Sequence, residues 1–374
     1  MSDNDLIQRV LYHEVQPQSI RSKYNEYNQV DFLISVGEGR SLVPGSVRIC
    51  ADLLVEEAAD TRSTAQRTFN RNCGGHSFID SIQVQTANQG LLENSQNYAR
   101  LVNMEANASL ENLDMLDSRQ ACELRCAHQA VATDMCQGIT HNVATGDDIV
   151  SDADFSIKPL ICLNKASRDL PMSKTGLITV QVNLARNMSA LFGQAQDANT
   201  TYSLSNLRCQ FKSIVEPQDP SPVEMGVIYN VKSNILSNTA SISCNVPAVC
   251  DSVAISFIQN QHENVPVYDN YKCEAVEGLQ EVQYIMNDQT NSLVTYQLTD
   301  YTEILERYVD AMRNTGHNQV SLQKFRSNCA FGCGITFSEP TDFSRNRFTF
   351  QITSGVNNQY PVNAFLYFMA RVSV

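Results

Sequence analysis

The sequence predicts an all-β protein built from two antiparallel β-sandwiches, and three observations support that prediction. Apolar and polar residues alternate with a period of two along many short segments, as they do in half-buried strands. A proline-rich segment at 217–222 divides the chain near its middle. Helical patterns are few, and each half places one short helix after a strand and a hairpin, which favours a pair of related domains.

Chain length and composition agree with two globular domains. The chain has 374 residues, of which 43% are hydrophobic, so it can bury a substantial core. The 12 cysteines are scattered rather than dense, and several occupy apolar strand positions. We therefore expect free thiols in a protein that folds in a reducing compartment.

The first half carries five stripes of alternating residues. Their apolar positions fall in Val30–Val36, Val47–Val55, Phe78–Val84, Ile178–Leu184 and Leu207–Val215. A shorter helix is predicted at 95–105, with Tyr98, Leu101 and Val102 facing inward.

Three prolines in six residues, Pro217, Pro220 and Pro222, cannot continue a ladder of strand hydrogen bonds. We take 217–222 as the linker between domains. The expected organisation is an N-terminal arm at 1–25, a first sandwich at 26–216 and a second sandwich at 223–374.

Strands resume after the linker. The apolar stripes fall in Ala240–Val246, Val253–Phe257, Val282–Met286, Val294–Leu298 and Phe348–Ile352. The segment 363–374 is almost continuously apolar, which predicts a central strand covered on both faces.

The clearest helix begins near Asp300, which forms a capping box with Glu303. Its apolar stripe at helical spacing consists of Tyr301, Ile304, Leu305, Tyr308 and Met312. Glu303 and Arg307 form an i,i+4 pair on the polar side.

The charge balance argues against nucleic-acid binding. There are 27 basic and 40 acidic residues, a net charge of −13, and no basic run. Because proteins that wrap nucleic acid neutralise phosphates with clustered Lys and Arg, we expect no direct nucleic-acid binding. The first eleven residues lack the apolar core of a secretory signal, and no run of 18 apolar residues predicts a membrane span.

Two cysteine pairs are candidate metal ligands. Cys122 and Cys126 lie near His128, and Cys329 and Cys333 repeat their spacing. Zinc sites usually show matched Cys-x-x-Cys pairs, which are absent here, so we interpret these residues as free thiols. We assign no metal, no cofactor and no catalytic residue.

Other candidate sites have simpler structural interpretations. The acidic residues Asp147, Asp148, Asp152 and Asp154 lack the spacing of a calcium loop and fit a solvated loop. Gly74-Gly75-His76 fits a bend that enters a strand rather than an exposed site. Three tyrosines that could form a ligand platform fit core or interface packing better. They are Tyr268, Tyr271 and Tyr360.

Several stretches resemble the double jelly-roll major capsid proteins of tailless icosahedral DNA viruses, the tectivirus-like and adenovirus-hexon-like lineage. The most specific is Cys73-Gly74-Gly75-His76-Ser77-Phe78, which resembles a phrase that opens a strand of the first roll in that family. Similar layout is found at 42–46, 206–212, 284–298 and 364–374. The chain is shorter than hexon-like proteins, and 109–151 has no match, so this segment is either an elaborated loop or an added helix at 118–129.

The resemblance implies a fold and a structural role rather than an enzyme. It implies two eight-stranded antiparallel jelly rolls, each with a short helix, standing side by side. Three chains would form a pseudo-hexagonal trimer that tiles an icosahedral virion shell assembled in the host cytoplasm. The partners would be neighbouring capsomers and minor capsid proteins. The resemblance does not decide whether an internal membrane lies beneath the shell. Leu6, Ile7, Val10 and Leu11 could form an amphipathic turn that docks on a neighbour or on lipid, or could belong to a frayed terminus.

Three alternatives stay open at this stage. A minor vertex or spike capsid protein would share jelly rolls and would differ in copies per virion. A jelly-roll glycan-acting hydrolase would need facing carboxylates in a cleft, which a screen on glycopeptides would detect. A carbohydrate-binding β-sandwich module is the third alternative.

Overall fold

A computed structural model describes residues 10–56, 67–70, 72–109, 122–125, 153–193, 201–216, 221–286, 292–297, 301–312, 325, 330–355 and 361–374. The linker prediction at 217–222 falls largely outside these ranges, so the domain boundaries stay predictions.

Strands dominate the first half of the chain. They are β1 Leu11–Val15, β2 Gln29–Ile34, β3 Arg40–Leu42, β4 Arg48–Glu56, β5 Arg67–Thr68, β6 Ile79–Thr86, β7 Gly90–Ser95, β8 Ala153–Ile157, β9 Leu170–Pro171, β10 Ile178–Leu184, β11 Phe192–Gly193 and β12 Thr201–Val215. The helices are α1 Tyr98–Ser109, α2 Met172–Thr175 and α3 Asn187–Ala190.

Strands also dominate the second half, and one longer helix interrupts them. The strands are β13 Glu224–Ile235, β14 Thr239–Cys244, β15 Val249–Gln259, β16 Leu279–Met286, β17 Ser292–Gln297, β18 Cys333–Asp342, β19 Phe348–Ser354 and β20 Val362–Ser373. The helix is α4 Tyr301–Met312.

Each half forms a jelly roll with the same strand order. In the second half the two sheets run β13-β20-β15-β18 and β14-β19-β16-β17. The first half repeats this with β1-β12-β4-β8 and β2-β10-β6-β7, while β3 and β9 extend its first sheet. If the eight main strands of a roll are numbered in chain order, both rolls read 1-8-3-6 and 2-7-4-5. The predicted pair of eight-stranded antiparallel jelly rolls is therefore confirmed.

The helices occupy equivalent places in the two rolls. α1 follows β7 and α4 follows β17, which is the fifth main strand of each roll. In α4, Ile304 and Tyr308 are buried and Leu305 is half-buried, as the apolar stripe predicts. Glu303 and Arg307 approach to 3.9 Å. Asp300, the predicted cap, lies outside the described residues.

The last strand lies in the middle of a sheet, as predicted. β20 pairs along its whole length with β13 on one side and along most of it with β15 on the other. Residues 362–370 are all buried. This burial keeps a strongly apolar strand away from a sheet edge, where it would pair with other chains.

Three predicted boundaries need correction. Phe78 ends a short 3-10 turn, Gly74–Phe78, and the strand starts only at Ile79. α1 starts at Tyr98 rather than Ser95, because Ser95 still pairs with Ile82 in the hairpin. Leu11 was placed in an amphipathic turn within the arm at 1–25, but it begins β1 and pairs with Ser213 of β12. The first roll thus takes its first strand from the expected arm.

Candidate functional site at the seam between the two rolls

The two rolls share one continuous sheet. β7 of the first roll lies parallel to β13 of the second through the pair Asn94–Tyr229. This joins four strands from each roll into an eight-stranded sheet, β18-β15-β20-β13-β7-β6-β10-β2. Beside the junction, the Asn97 side chain donates a hydrogen bond to the Asn230 side chain at 2.9 Å. We call this junction and the polar contacts around it the seam.

A buried carboxylate holds backbone groups on both sides of the seam. Glu93 is fully buried, and its two oxygens accept hydrogen bonds from the amides of Cys162 at 2.6 Å and Ile228 at 3.1 Å. Burial raises the pKa of Glu93, while nearby Lys165 and the two amide bonds oppose that rise. Because Cys162 belongs to the first roll and Ile228 to the second, one side chain links both.

A buried arginine makes the next link. Arg100 of α1 is 2% exposed, and its guanidinium lies 4.2 Å over the ring of Phe365 in β20. It donates to the carbonyl of Lys272 at 2.8 Å and to that of Asn270. A planar guanidinium suits this place because it can stack on a ring and donate in its own plane at once.

The loop between β15 and β16 is tied to the first roll by further polar contacts. Asn70 donates to the Asp269 carboxylate at 2.6 Å, and Asn103 donates to the Tyr271 carbonyl at 2.6 Å. The Tyr271 hydroxyl donates to the Ser77 carbonyl at 2.8 Å. Burial raises the pKa of Asp269 to about 6, against the opposing effect of its hydrogen bonds.

The Gly-Gly-His segment has a packing role beneath the seam. Gly74 has φ +54°, and a Cβ there would overlap the Glu123 carbonyl oxygen. A Cβ on Gly75 would lie 2.9 Å from the Phe155 ring. The two glycines therefore let residues 122–125 and β8 pack directly on the turn.

His76 follows these glycines and is completely buried. Its Nδ1 lies 2.8 Å from the Tyr98 hydroxyl, which accepts a hydrogen bond from the Leu160 amide. Its Nε2 lies 3.6 Å from Glu123, which also contacts Arg125 at 3.0 Å. The segment is thus a buried bend, as interpreted from the sequence, although it forms a 3-10 turn before the strand.

Only two of the cysteines considered as metal ligands lie among the described residues. Cys122 is exposed, and its proposed partners Cys126 and His128 lie outside the described residues, as does Cys329. Cys333 is a buried free thiol in β18. Among the described residues there is no group of three or more His, Cys, Asp or Glu side chains arranged to hold a metal.

Of the acidic and aromatic candidates, the structure describes Asp154, Tyr268 and Tyr271. Asp154 is exposed on β8, and the other three acidic residues lie outside the described ranges. Tyr268 is exposed and packs against the His262 ring at a tilt, Tyr271 is buried in the seam, and Tyr360 lies outside the described residues. No helix in the described part of the chain is long and apolar enough to cross a membrane.

Sequence reasoning missed Glu93, Arg100 and Asp269. Each lies in a segment whose pattern is dominated by apolar or turn residues, and a charged residue there is expected to face solvent. Each has a hydrogen-bond partner in the opposite roll or its flank, and no local pattern encodes that contact.

Comparisons with known proteins support the fold assignment. No family model matches the chain, and no curated protein matches it in sequence. Among solved structures, the chain is similar to the Faustovirus major capsid protein, with TM-score 0.63 and 8% identity over 98% of this chain and 90% of that one. It is also similar to VP54 of PBCV-1, with TM-score 0.60 and 10% identity over 98% of this chain and 94% of that one. The Sulfolobus turreted icosahedral virus capsid protein gives TM-score 0.52 and 6% identity over 97% of both chains.

These similarities define the class of fold to which the chain belongs. It is a double jelly roll, matched over nearly the full length of each neighbour. The structures that share it here are viral major capsid proteins.

Proposed function

We propose that this chain is the structural major capsid protein of an icosahedral virus and that it forms homotrimers. The observation that carries the proposal is the pair of complete jelly rolls locked together by one sheet and a buried polar seam. Three such chains around a threefold axis present six similar rolls. Six rolls give the trimer a pseudo-hexagonal outline, which can tile a closed shell.

The rigidity of the seam fits a shell subunit. Glu93, Arg100 and Asp269 are each nearly or fully buried. Glu93 and Arg100 form hydrogen bonds with backbone groups of the opposite roll, and Asp269 accepts one from the Asn70 side chain of the first roll. A subunit that repeats many times in a shell needs a fixed angle between its two rolls, because angular error accumulates across neighbours. Buried, satisfied polar networks supply that specificity.

The outer sheet faces offer surfaces for neighbouring copies. Thr239, Ser241 and Ser243 of β14 are exposed on the second roll. On the first roll, Tyr12 is exposed beside Lys212 of β12, with 4.8 Å between the ammonium and the ring. Such mixed polar and aromatic surfaces are typical of contacts that form between folded subunits. Minor capsid proteins would bind the same shell. We propose that the shell assembles in the host cytoplasm and that the chain is then part of the virion.

Size-exclusion chromatography with light scattering tests the proposal. We expect a mass of about three times the 41.7 kDa chain, and electron microscopy of the peak should show hexagonal outlines. A clean monomer at micromolar concentration, with no assembled particles, would contradict it. A few copies per virion instead of hundreds would favour a minor vertex protein.

The two buried carboxylates of the seam, Glu93 and Asp269, do not favour a hydrolase. Glu93 and Asp269 accept hydrogen bonds from backbone amides and an amide side chain inside the seam, rather than facing each other across a cleft. A retaining or inverting hydrolase needs two carboxylates about 5 to 9.5 Å apart around the scissile bond. We therefore propose a structural protein rather than an enzyme, with no direct binding to nucleic acid.

A further inference from the structure

A cavity of about 250 Å³ opens where loops of the two rolls converge at one end of the seam. Its polar lining comes from both rolls. The first roll contributes Tyr27, Asp80 and Arg186, and the second contributes Lys232, Glu263 and Asn264. The volume lies just below the roughly 300–1,000 Å³ of pockets for drug-sized ligands, so it suits an occupant of about one ring.

Left-handed backbone is concentrated around this cavity. Five non-glycine residues in the described part of the chain have positive φ, and three of them line the cavity. They are Tyr27 at 62°, Asn97 at 50° and Asn264 at 58°. Asparagine adopts left-handed backbone readily, so the conformational cost falls mainly on Tyr27, whose turn is held in place at this cavity.

The strained turn at Tyr27 presents an aromatic ring and a cation together. The Tyr27 side chain is 66% exposed, and Arg186 lies 5.5 Å over its ring. The Arg186 guanidinium donates no hydrogen bond to any described residue. Because Arg186 is exposed, its fork of N–H donors can reach a ligand, and such a fork binds a carboxylate in bidentate fashion.

The opposite wall mixes acceptors with donors. Glu263 accepts from the Lys232 ammonium at 2.7 Å, and Asp80 lies within electrostatic range of both Arg186 and Lys232. The Asn264 side-chain oxygen accepts from Ser189 at 2.6 Å, which leaves its NH2 group for a ligand. A phosphate dianion or a nucleic-acid backbone carries more negative charge and would be repelled more strongly by Asp80 and Glu263 than a single carboxylate at Arg186. Hydroxyl groups can both donate to carboxylates and accept from amides.

We propose that this cavity binds a saccharide that carries a carboxylate. The carboxylate pairs with Arg186, an apolar face of the ring packs on Tyr27, and the hydroxyls meet Asp80, Glu263 and Asn264. Aromatic faces and planar polar side chains together are the chemistry that selects such a ligand. The cavity is lined by residues of both rolls of a single chain, so saccharide binding does not require a trimer. The proposed saccharide site and the proposed capsid function can therefore fail separately.

Isothermal titration calorimetry with sialyllactose and with uncharged lactose tests the proposal. We expect sialyllactose to bind wild-type protein, and we expect lactose to bind about tenfold more weakly or not at all, because it lacks the charge-assisted contact. Arg186→Ala should weaken sialyllactose binding by about tenfold or more, and Arg186→Lys should restore only part of it.

Two further variants keep the test independent of folding. Asn264→Asp tolerates the left-handed backbone and keeps an oxygen that accepts from Ser189, but it replaces the NH2 donor with a carboxylate oxygen. It should therefore weaken binding while leaving the melting temperature nearly unchanged. Arg345→Ala removes an exposed arginine on a distant turn of the second roll and should bind like wild type. Absence of sialyllactose binding to wild-type protein, equal binding of lactose, or wild-type affinity in Arg186→Ala would each overturn the proposal.

Discussion

At the scale of single residues, the seam depends on side chains that hold backbone groups. Glu93 accepts hydrogen bonds from two backbone amides, and Arg100 donates hydrogen bonds to two backbone carbonyls. The Tyr271 hydroxyl donates to a third carbonyl, that of Ser77. Each of these side chains is nearly or fully buried, so the loss of one would leave its backbone partners unsatisfied as well. Gly74 and Gly75 beneath the seam contribute by having no Cβ, which leaves room for the Glu123 carbonyl and the Phe155 ring.

Gly74→Ala should be strongly destabilising. The new Cβ would impose a left-handed penalty of about 1–2 kcal/mol, and it would also displace the Glu123 carbonyl. We expect a total loss of about 3 kcal/mol or more in the free energy of unfolding. Gly90→Ala is the matched control, because Gly90 has φ +75° with nothing within 4 Å of the new Cβ. Urea unfolding of both variants would show equal losses if the overlap at Gly74 were unimportant.

Asp269 should make the protein more stable in mild acid. Its folded pKa of about 6 lies above the ordinary value of 3.8, because burial disfavours the carboxylate. The folded state therefore binds a proton that the unfolded chain releases between about pH 4 and pH 6, so stability falls as the pH rises through that window. The contribution is roughly 3 kcal/mol at most.

The pH dependence of the urea midpoint in wild type and in Asp269→Asn measures this effect. Other buried carboxyls, including Glu93, contribute in the same direction to both proteins, so the difference between the two curves isolates Asp269. Parallel curves from pH 4 to pH 7 would show that Asp269 titrates normally.

At the scale of elements, alternation in the sequence predicted most of the strands because each sheet has one face on a core. The stripe Ile178–Leu184 coincides with β10, and the apolar tail coincides with β20. α4 was predictable for the related reason that one helical face is apolar. These patterns are local, and burial of a single face is sufficient to produce them.

The seam was not predictable, because its residues acquire partners only from distant parts of the chain. From the sequence alone, Arg100 of α1 could equally have faced solvent. It is buried because its guanidinium donates to the carbonyls of Asn270 and Lys272, which lie about 170 residues further along the chain. β1 was also missed, since its five residues have no clear alternation and it owes its place to pairing with β12. The cavity at Tyr27 likewise combines residues from six separate segments.

Tyr308 should be the most sensitive position of α4. Its ring covers Gly332, where a Cβ would overlap the ring, and it packs 5.9 Å from the Phe325 ring. We expect Tyr308→Ala to cost about 3–5 kcal/mol and Ile304→Ala about 2–5 kcal/mol. Glu306→Ala, on the exposed side of the same helix, should change stability by less than about 0.5 kcal/mol. Thermal unfolding of the three variants gives the ranking, and a large loss in Glu306→Ala would show that this side is covered.

At the scale of the whole molecule, the two rolls should unfold together. The shared sheet and the buried contacts of Glu93 and Arg100 mean that melting one roll exposes polar groups of the other. We expect one calorimetric transition for wild type and two for Arg100→Ala, in which the seam loses its largest buried side chain. Two transitions in wild type would mean that the seam couples the rolls only weakly.

The central position of β20 has a consequence for synthesis. β20 follows every other strand of the second roll in the chain and separates β13 from β15, so neither can complete its hydrogen bonding until β20 has left the ribosome. The second roll therefore closes only after β20 has been synthesised, whereas the first roll can form earlier, except along the edge that waits for β13. Until then a nascent chain would expose an unpaired, strongly apolar gap. Chains that stop before β20 could not fill that gap, and this late closure would keep incomplete products out of any assembly.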